Sequence, residues 1–397
     1  MPQPIFDFDT VIPRRGTDSY KWDYTHEMLG APDVLPLWVA DMDFASPQPV
    51  LDALHQRVEH GVFGYTAKGP GYYASVRNWL DRRHGWNVEE PWIANMPGVV
   101  AALRLAVDVF SQPGDNIIVQ PPVYYPFFKV VKDNGRNILE NPLQWTGSRY
   151  EMDFQQLETQ LKKGAAMFIL CSPHNPVGRV WERWELEALS ALCLQYGTLL
   201  VSDEIWADLV FPGSQHICAA NLNPDSAANT ITCVAPSKTF NLAGLTTSSV
   251  IIPDAGKMRR YKHAIATQDL GLGNILGMTA MRASYDHGEP WLEALLEYLQ
   301  ATIAWVREFL AAQHPHVGWL EPEATYLLWL DLRYLGLDET ELRDAFYRRA
   351  RAGVHLGSKF GTGGPGFVRV NIAAPRSLIQ EGFEEIGRAL RFLEASV

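Results

Sequence analysis

The sequence predicts an α/β fold: a large unit on a mostly parallel central sheet, followed by a smaller α+β unit. Three observations predict it. Between about residues 90 and 255, short β-rich runs alternate with helical patterns. Those runs are apolar almost throughout, which suits strands covered by helices on both faces. Beyond about residue 255 the alternation gives way to a long helical stretch, two further strand-like segments and a closing helix.

Taken in order, the first 45 residues are rich in Pro, Trp and Asp and carry no helical pattern of their own, so they are expected to pack across both units. The strands are Asn116–Val119, Ala166–Cys171, Thr198–Ser202, Thr230–Val234 and Ser248–Ile252. Between them, Val99, Val100, Leu103, Ala106, Val107 and Phe110 recur at the spacing of one helix face, and Leu186, Leu189, Leu192, Cys193 and Tyr196 mark another. A helix then runs through Trp291 toward Ala312. Strands at Thr325–Asp331 and Phe367–Ile372 precede a last helix from about Ser377 to Ala395. The expected division is a large unit, 46–285, and a smaller composite unit made of 1–45 plus 286–397, both within ordinary domain sizes.

Composition narrows the function. The 397 residues include 34 Lys+Arg and 45 Asp+Glu, a net charge of −11, which argues against a nucleic-acid partner because phosphate neutralisation needs clustered cations. No uncharged apolar run is long enough to span a bilayer, and no basic segment followed by an apolar one opens the sequence, so the expected location is the cytoplasm and no membrane partner is expected. Cys171, Cys193, Cys218 and Cys233 form no C-x-x-C pair and three lie in apolar surroundings, the pattern of buried reduced thiols. The eleven histidines show no metal-ligand spacing, so no metal is expected.

In an open parallel sheet, functional groups gather beyond the carboxyl ends of the strands. Four places there carry candidate chemistry. Gly98 precedes Val99 and Val100, whose backbone N–H groups at a helix start suit an anion such as a phosphate, although any helix entry offers them. Asn175-Pro176 puts an amide at one strand end, where a plain turn is the alternative. Asp203 ends another strand; a carboxylate there needs a cationic or donor partner unless it merely caps a helix. Lys238, set between an apolar strand and an apolar Gly-containing turn, suits a depressed pKa and nucleophilic amine chemistry, the alternative being a lysine that snorkels to solvent. Together they match what pyridoxal phosphate requires: a phosphate cradle, a carboxylate for the ring nitrogen and a lysine.

The sequence resembles the fold-type I pyridoxal-phosphate enzymes of the aspartate aminotransferase superfamily, and within them the MalY/PatB branch of cystathionine β-lyases (cysteine-S-conjugate β-lyases). The segments carrying the resemblance are Leu37-Trp-Val-Ala-Asp-Met-Asp-Phe44, Phe63-Gly-Tyr-Thr66, Gln120-Pro-Pro-Val-Tyr-Tyr-Pro-Phe127, Ser172-Pro-His-Asn-Pro-Val-Gly-Arg-Val-Trp181, Ser237-Lys-Thr-Phe-Asn-Leu-Ala-Gly244 and Gly366-Phe-Val-Arg-Val-Asn371. The resemblance implies that Lys238 is the catalytic lysine that binds the cofactor covalently and that Asp203 partners the ring nitrogen. It further implies that Tyr124 stacks on the ring, that Asn175 lies near the ring oxygen and substrate carboxylate, and that Val99, Val100 and Ser237 hold the phosphate. Arg369 would grip the substrate carboxylate, a role suited to a planar guanidinium, with Ala40 beside the substrate. Tyr65 would reach the neighbouring subunit's phosphate and substrate, which implies a homodimer with shared active sites.

The implied activity is α,β-elimination of a sulfur-containing amino acid to thiol, pyruvate and ammonia. Two alternatives stay open: an aminotransferase, and a regulatory protein on the same scaffold. Two departures from the resemblance stand out. Trp206 occupies a position where tyrosine or histidine is usual beside the ring oxygen, and indole can donate one hydrogen bond but accept none, so it is either a cofactor neighbour or a core aromatic. Thr246 stands where aspartate aminotransferases carry a basic residue. The run Gly361–Gly366 precedes a strand instead of joining a strand to a helix, so it fails the dinucleotide-loop context and is expected to be a flexible loop near the substrate entrance.

Overall fold

The computed structural model describes residues 6–395. The first five residues and 396–397, the outermost parts of the expected composite unit, lie outside the described residues. A seven-stranded sheet forms from β1 (Ile93–Met96), β2 (Asn116–Val119), β3 (Asn137–Glu140), β4 (Ala165–Cys171), β5 (Leu199–Asp203), β6 (Thr230–Val234) and β7 (Ser248–Ile251). Their order across the sheet is β1-β7-β6-β5-β4-β2-β3. All neighbours pair in parallel except β7, which runs antiparallel to both β1 and β6.

The inner strands earn this place by composition. Every residue of β5 and β6 is buried, as sheet strands covered by helices on both faces must be. One covering helix, Val99–Phe110, packs Leu103, Ala106 and Val107 into the same apolar cluster as Ile117, Val201 and Ile231. The sequence pattern missed β1 and β3. Edge strand β3 presents Asn137 to solvent and is only half-buried elsewhere, so it lacks the continuous apolar run that marks its neighbours.

A smaller antiparallel sheet follows, with strands β8 (Gly318–Trp319), β9 (Leu327–Asp331), β10 (His355–Leu356) and β11 (Phe367–Asn371) in the order β8-β9-β11-β10. Helices Glu289–Gln313 and Arg376–Glu394 place Leu299, Val306, Ile379, Phe383 and Ile386 in a cluster that also contains Leu328 and Val368 of this sheet.

The N-terminal expectation is corrected in one respect: the first 45 residues contain two short helices, Tyr20–Asp23 and Thr25–Leu29. Each spans about one turn, too short for an apolar stripe to register. Ser19 caps the first through its side chain, and Gly30 ends the second in the left-handed region at φ 74°. This segment is tied down by charge as well as by packing. Fully buried Lys21 donates to Asp43 Oδ2 at 2.7 Å, while Arg14 and Trp22 Nε1 donate to Asp43 Oδ1 at 2.6 and 2.8 Å. The residues around Ala40 are thereby fixed.

Candidate active site

Five parallel strand ends and the entry to β7 converge on one cavity of about 370 Å³. Beyond β1 lie Gly98, Val99 and Val100; beyond β2, Tyr124; beyond β4, Asn175; at the end of β5, Asp203; beyond β6, Ser237 and Lys238. Thr246 and Thr247, just before β7, and Arg369, from β11 of the second sheet, complete the arrangement. Trp206 and Ala40 line it too.

At the inner end, the helix Val99–Phe110 begins with Gly98 as its cap, and the first bond back to that cap comes from Ala102 N–H, 3.0 Å from Gly98 O. The N–H groups of Val99 and Val100 therefore have no partner within the helix and carry its positive end. Asp203 is buried, and its Oδ1 accepts from Ile205 N–H at 3.1 Å. Burial pushes this carboxyl up to about 7, further than Lys238 and the Ile205 bond can pull it back. A carboxylate so placed calls for a cation in the cavity beside it.

Lys238 is held by the Ala40 carbonyl, which accepts from Nζ at 2.6 Å and from the Tyr326 hydroxyl at 3.0 Å. Burial lowers the lysine to about 8; Arg369 pushes the same way, while Asp41 and Asp203 oppose it. Its ammonium lies 5.6 Å from the centre of the Trp206 ring, which packs edge-on against Tyr326. Trp206 is thus both things its sequence position allowed, a buried aromatic and a wall of the cavity. Tyr124, with its phenol pushed upward by burial, lines the same cavity.

Arg369 is buried at 2% exposure, and burial lowers it to about 10, so it stays charged at neutral pH. Its Nη1 donates to Asn175 Oδ1 at 2.9 Å, and its Nη2 to the Trp38 carbonyl and His355 Nδ1, each at 2.9 Å. Asn175 therefore presents its oxygen to the guanidinium and keeps its NH₂ for another partner, in keeping with the donor role its position suggests.

Tyr65, expected to act across two chains, and the Gly361–Gly366 run both stand apart from this cavity. Tyr65 is 94% exposed and does not line this chain's cavity. The Gly361–Gly366 run does not line it either and is a tightly packed turn: Gly361 sits at φ 85°, and a Cβ there would come within 2.6 Å of the Phe128 ring.

Several site residues escaped the sequence reading. Tyr20 and His355 come from segments remote in sequence and carry no local signal, and Trp38, though inside the Leu37–Phe44 segment, was given no role there. Asp208 does not touch the cavity but takes hydrogen bonds from Thr239 Oγ1 at 2.7 Å and Trp79 Nε1 at 3.1 Å, with His84 Nε2 at 2.8 Å, and so anchors the residue after Lys238. Glu204, His216 and Cys218 also come together, all buried. Ser202 Oγ and Ala219 N–H donate to Glu204 Oε1 while His216 Nε2 sits 2.9 Å from Oε2, so protein groups already occupy that carboxylate and brace the end of β5.

The chain is similar along nearly its whole length to known proteins. Cystathionine beta-lyase PatB of Bacillus subtilis (strain 168) is 44% identical over 387 residues, covering 97% of this chain and 100% of its own. Cystalysin from Treponema denticola, a structure containing pyridoxal 5'-phosphate, superposes with a TM-score of 0.95 at 37% identity, over 98% of this chain and 100% of that one. A pyridoxal-phosphate-bound C-S lyase from Staphylococcus hominis superposes with a TM-score of 0.92 at 32% identity, over 98% of both chains. The family described as aminotransferase class I and II matches residues 32–386, and this chain belongs to it.

Proposed function

We propose that this protein is a pyridoxal-phosphate-dependent carbon–sulfur β-lyase that cleaves cystathionine or related cysteine S-conjugates to a thiol, pyruvate and ammonia. The observation that carries this reading is the placing of buried Asp203 and Arg369 and half-buried Lys238 around one cavity together with the open amides of Val99 and Val100. The full-length likeness to PatB, cystalysin and a C-S lyase supports the lyase outcome over amino-group transfer.

The residues fit the cofactor. Val99 and Val100 N–H with Ser237 Oγ would take the phosphate, Tyr124 the ring face, Asp203 the ring nitrogen and Asn175 Nδ2 the ring oxygen, with Lys238 as covalent anchor. When bound, pyridoxal phosphate supplies an electron sink for the bonds broken at Cα and Cβ. The remaining work belongs to the chain. Arg369, steadied by Asn175, binds and orients the α-carboxylate. Lys238 removes the Cα proton, and burial, which lowers its amine to about 8, moves it toward the range useful for a general base. The Ala40 carbonyl and Trp206 restrain Nζ while it carries that proton. Loss of thiolate from Cβ and hydrolysis of the released enamine give pyruvate and ammonia, with one water consumed.

Arg369→Lys is expected to raise KM for the amino acid about 10- to 100-fold, since a lysine keeps charge but loses paired hydrogen bonds worth about 1.5–3 kcal/mol. Steady-state kinetics in which KM stays unchanged would remove Arg369 from the carboxylate site. The reading as a whole is tested by incubating cofactor-loaded protein with L-cystathionine and no 2-oxo acid. Equimolar pyruvate and free thiol support it; amino-group transfer strictly dependent on an added 2-oxo acid sinks it.

The division into a large unit, 46–285, and a composite unit, 1–45 plus 286–397, is carried forward with this proposal, because it puts Lys238 and Asp203 on one unit and Arg369 and Ala40 on the other. A homodimer is part of it as well. Exposed Tyr65, with Val62 and Phe63 at 62% and 56% exposure, forms an apolar projection suited to a second copy of the chain. The four cysteines are free and buried, which supports a reducing compartment, the cytoplasm, and no helix among the described residues is long and apolar enough to cross a membrane.

A further inference from the structure

The cavity continues past Arg369 into a part that the chemistry above leaves unused. It is lined there by Trp38, His355, Tyr125 and Tyr20. The rings form a connected wall: Tyr20 to Trp38 at 5.2 Å, Trp38 to His355 at 5.3 Å and edge-on, His355 to Tyr125 at 6.1 Å and edge-on. Tyr20 and Tyr125 are partly exposed, at 50% and 39%.

This wall carries no formal charge. His355 Nδ1 accepts from Arg369 Nη2, so its proton sits on Nε2, and burial together with Arg369 and Lys359 holds it neutral. Among the described residues lining the cavity, the charged groups are Asp203, Lys238 and Arg369, each engaged at the inner end. Lys359, the cation beside His355, does not line the cavity.

Resting on the β-lyase reading, we propose that this aromatic collar is the leaving-group subsite and selects cysteine thioethers whose sulfur substituent is uncharged and apolar, aryl or bulky alkyl. A substrate held by Arg369 at its carboxylate, with Cα at Lys238, has its Cβ–S bond as the remaining arm, and the collar is the aromatic wall beside Arg369. A benzyl group would bury its faces against Tyr20, Trp38 and Tyr125. The distal ammonium and carboxylate of cystathionine would find no ionic partner in the collar, whereas an apolar substituent would cover its rings.

The test compares pyruvate release by the cofactor-loaded enzyme from S-benzyl-L-cysteine, S-methyl-L-cysteine and L-cystathionine. The expected kcat/KM for S-benzyl-L-cysteine exceeds each of the others by at least about tenfold. Tyr20→Ala should cut the benzyl-to-methyl ratio to within about threefold, while Tyr20→Phe, which keeps the ring face, should preserve it. Tyr20→Lys, a second variant at the same half-exposed position, should shift preference toward cystathionine by offering its carboxylate a partner. Cystathionine turned over as well as the benzyl thioether, or a ratio indifferent to all three Tyr20 variants, would overturn the collar and leave the lyase reading standing. No pyruvate from any of the three would overturn both.

Discussion

Lys238→Ala is expected to abolish the visible absorbance of lysine-bound pyridoxal phosphate and to slow pyruvate release by at least about 10³-fold. The substitution removes two functions at once. The covalent anchor disappears, and so does the group that moves the Cα proton, a contribution of about 10²–10⁴-fold by itself. The geometry makes substitution from within the chain difficult: Nζ is the amine held between the Ala40 carbonyl and the Trp206 ring, and no other lysine lines the cavity among the described residues. Absorbance spectra and thiol release checked side by side separate the two losses. Turnover persisting in the variant would show that Lys238 has been given the wrong role.

Asp203→Asn is expected to act in opposite directions on stability and on activity. Without cofactor, burial lifts this carboxyl from 3.8 to about 7. Between those values the folded protein holds a proton that the unfolded chain has released, so stability falls as pH rises through that window, and the cost is complete above about 7. The climb corresponds to up to about 4 kcal/mol. Cofactor-free Asp203→Asn should therefore melt above the cofactor-free parent at pH 8, with the difference vanishing near pH 4. With cofactor the sign reverses. A cation beside a carboxylate is worth about one to three pKa units, so losing that partnership should lower turnover about 10- to 1000-fold. Thermal denaturation at the two pH values, paired with rate measurements, checks both halves. Equal melting temperatures at pH 8 would mean that Asp203 already has a partner other than the cofactor.

Much of the site was legible because the strand ends were. Asp203 directly follows a mostly apolar run and Lys238 lies four residues beyond another, and in a parallel sheet the segments after such runs face the common crevice. Asn175 follows the same logic, Gly98 was marked by the helix it opens, and Ser237 came only from the resemblance. Arg369 was reached through the resemblance, on the strand-like segment Phe367–Ile372. The residues that escaped are those whose neighbours are set by tertiary packing alone. Trp38 and His355 are 317 residues apart yet flank one guanidinium, and no local pattern in either segment records that. The short helices around Tyr20 and Thr25 escaped for a different reason: a single turn shows no periodicity, and their order comes from the buried ion pair of Lys21 with Asp43. Tyr65 lies outside this chain's cavity, and the contact that the resemblance implies for it would need a second chain.

Borohydride reduction of the cofactor-loaded protein, followed by peptide mass mapping, tests the central claim most directly, that Lys238 holds pyridoxal phosphate in this cavity. The account predicts a single phosphopyridoxyl group, on the Lys238 peptide, and its absence when Lys238 is replaced by alanine. A phosphopyridoxyl group on any other lysine, or a protein that takes up no cofactor, would contradict it.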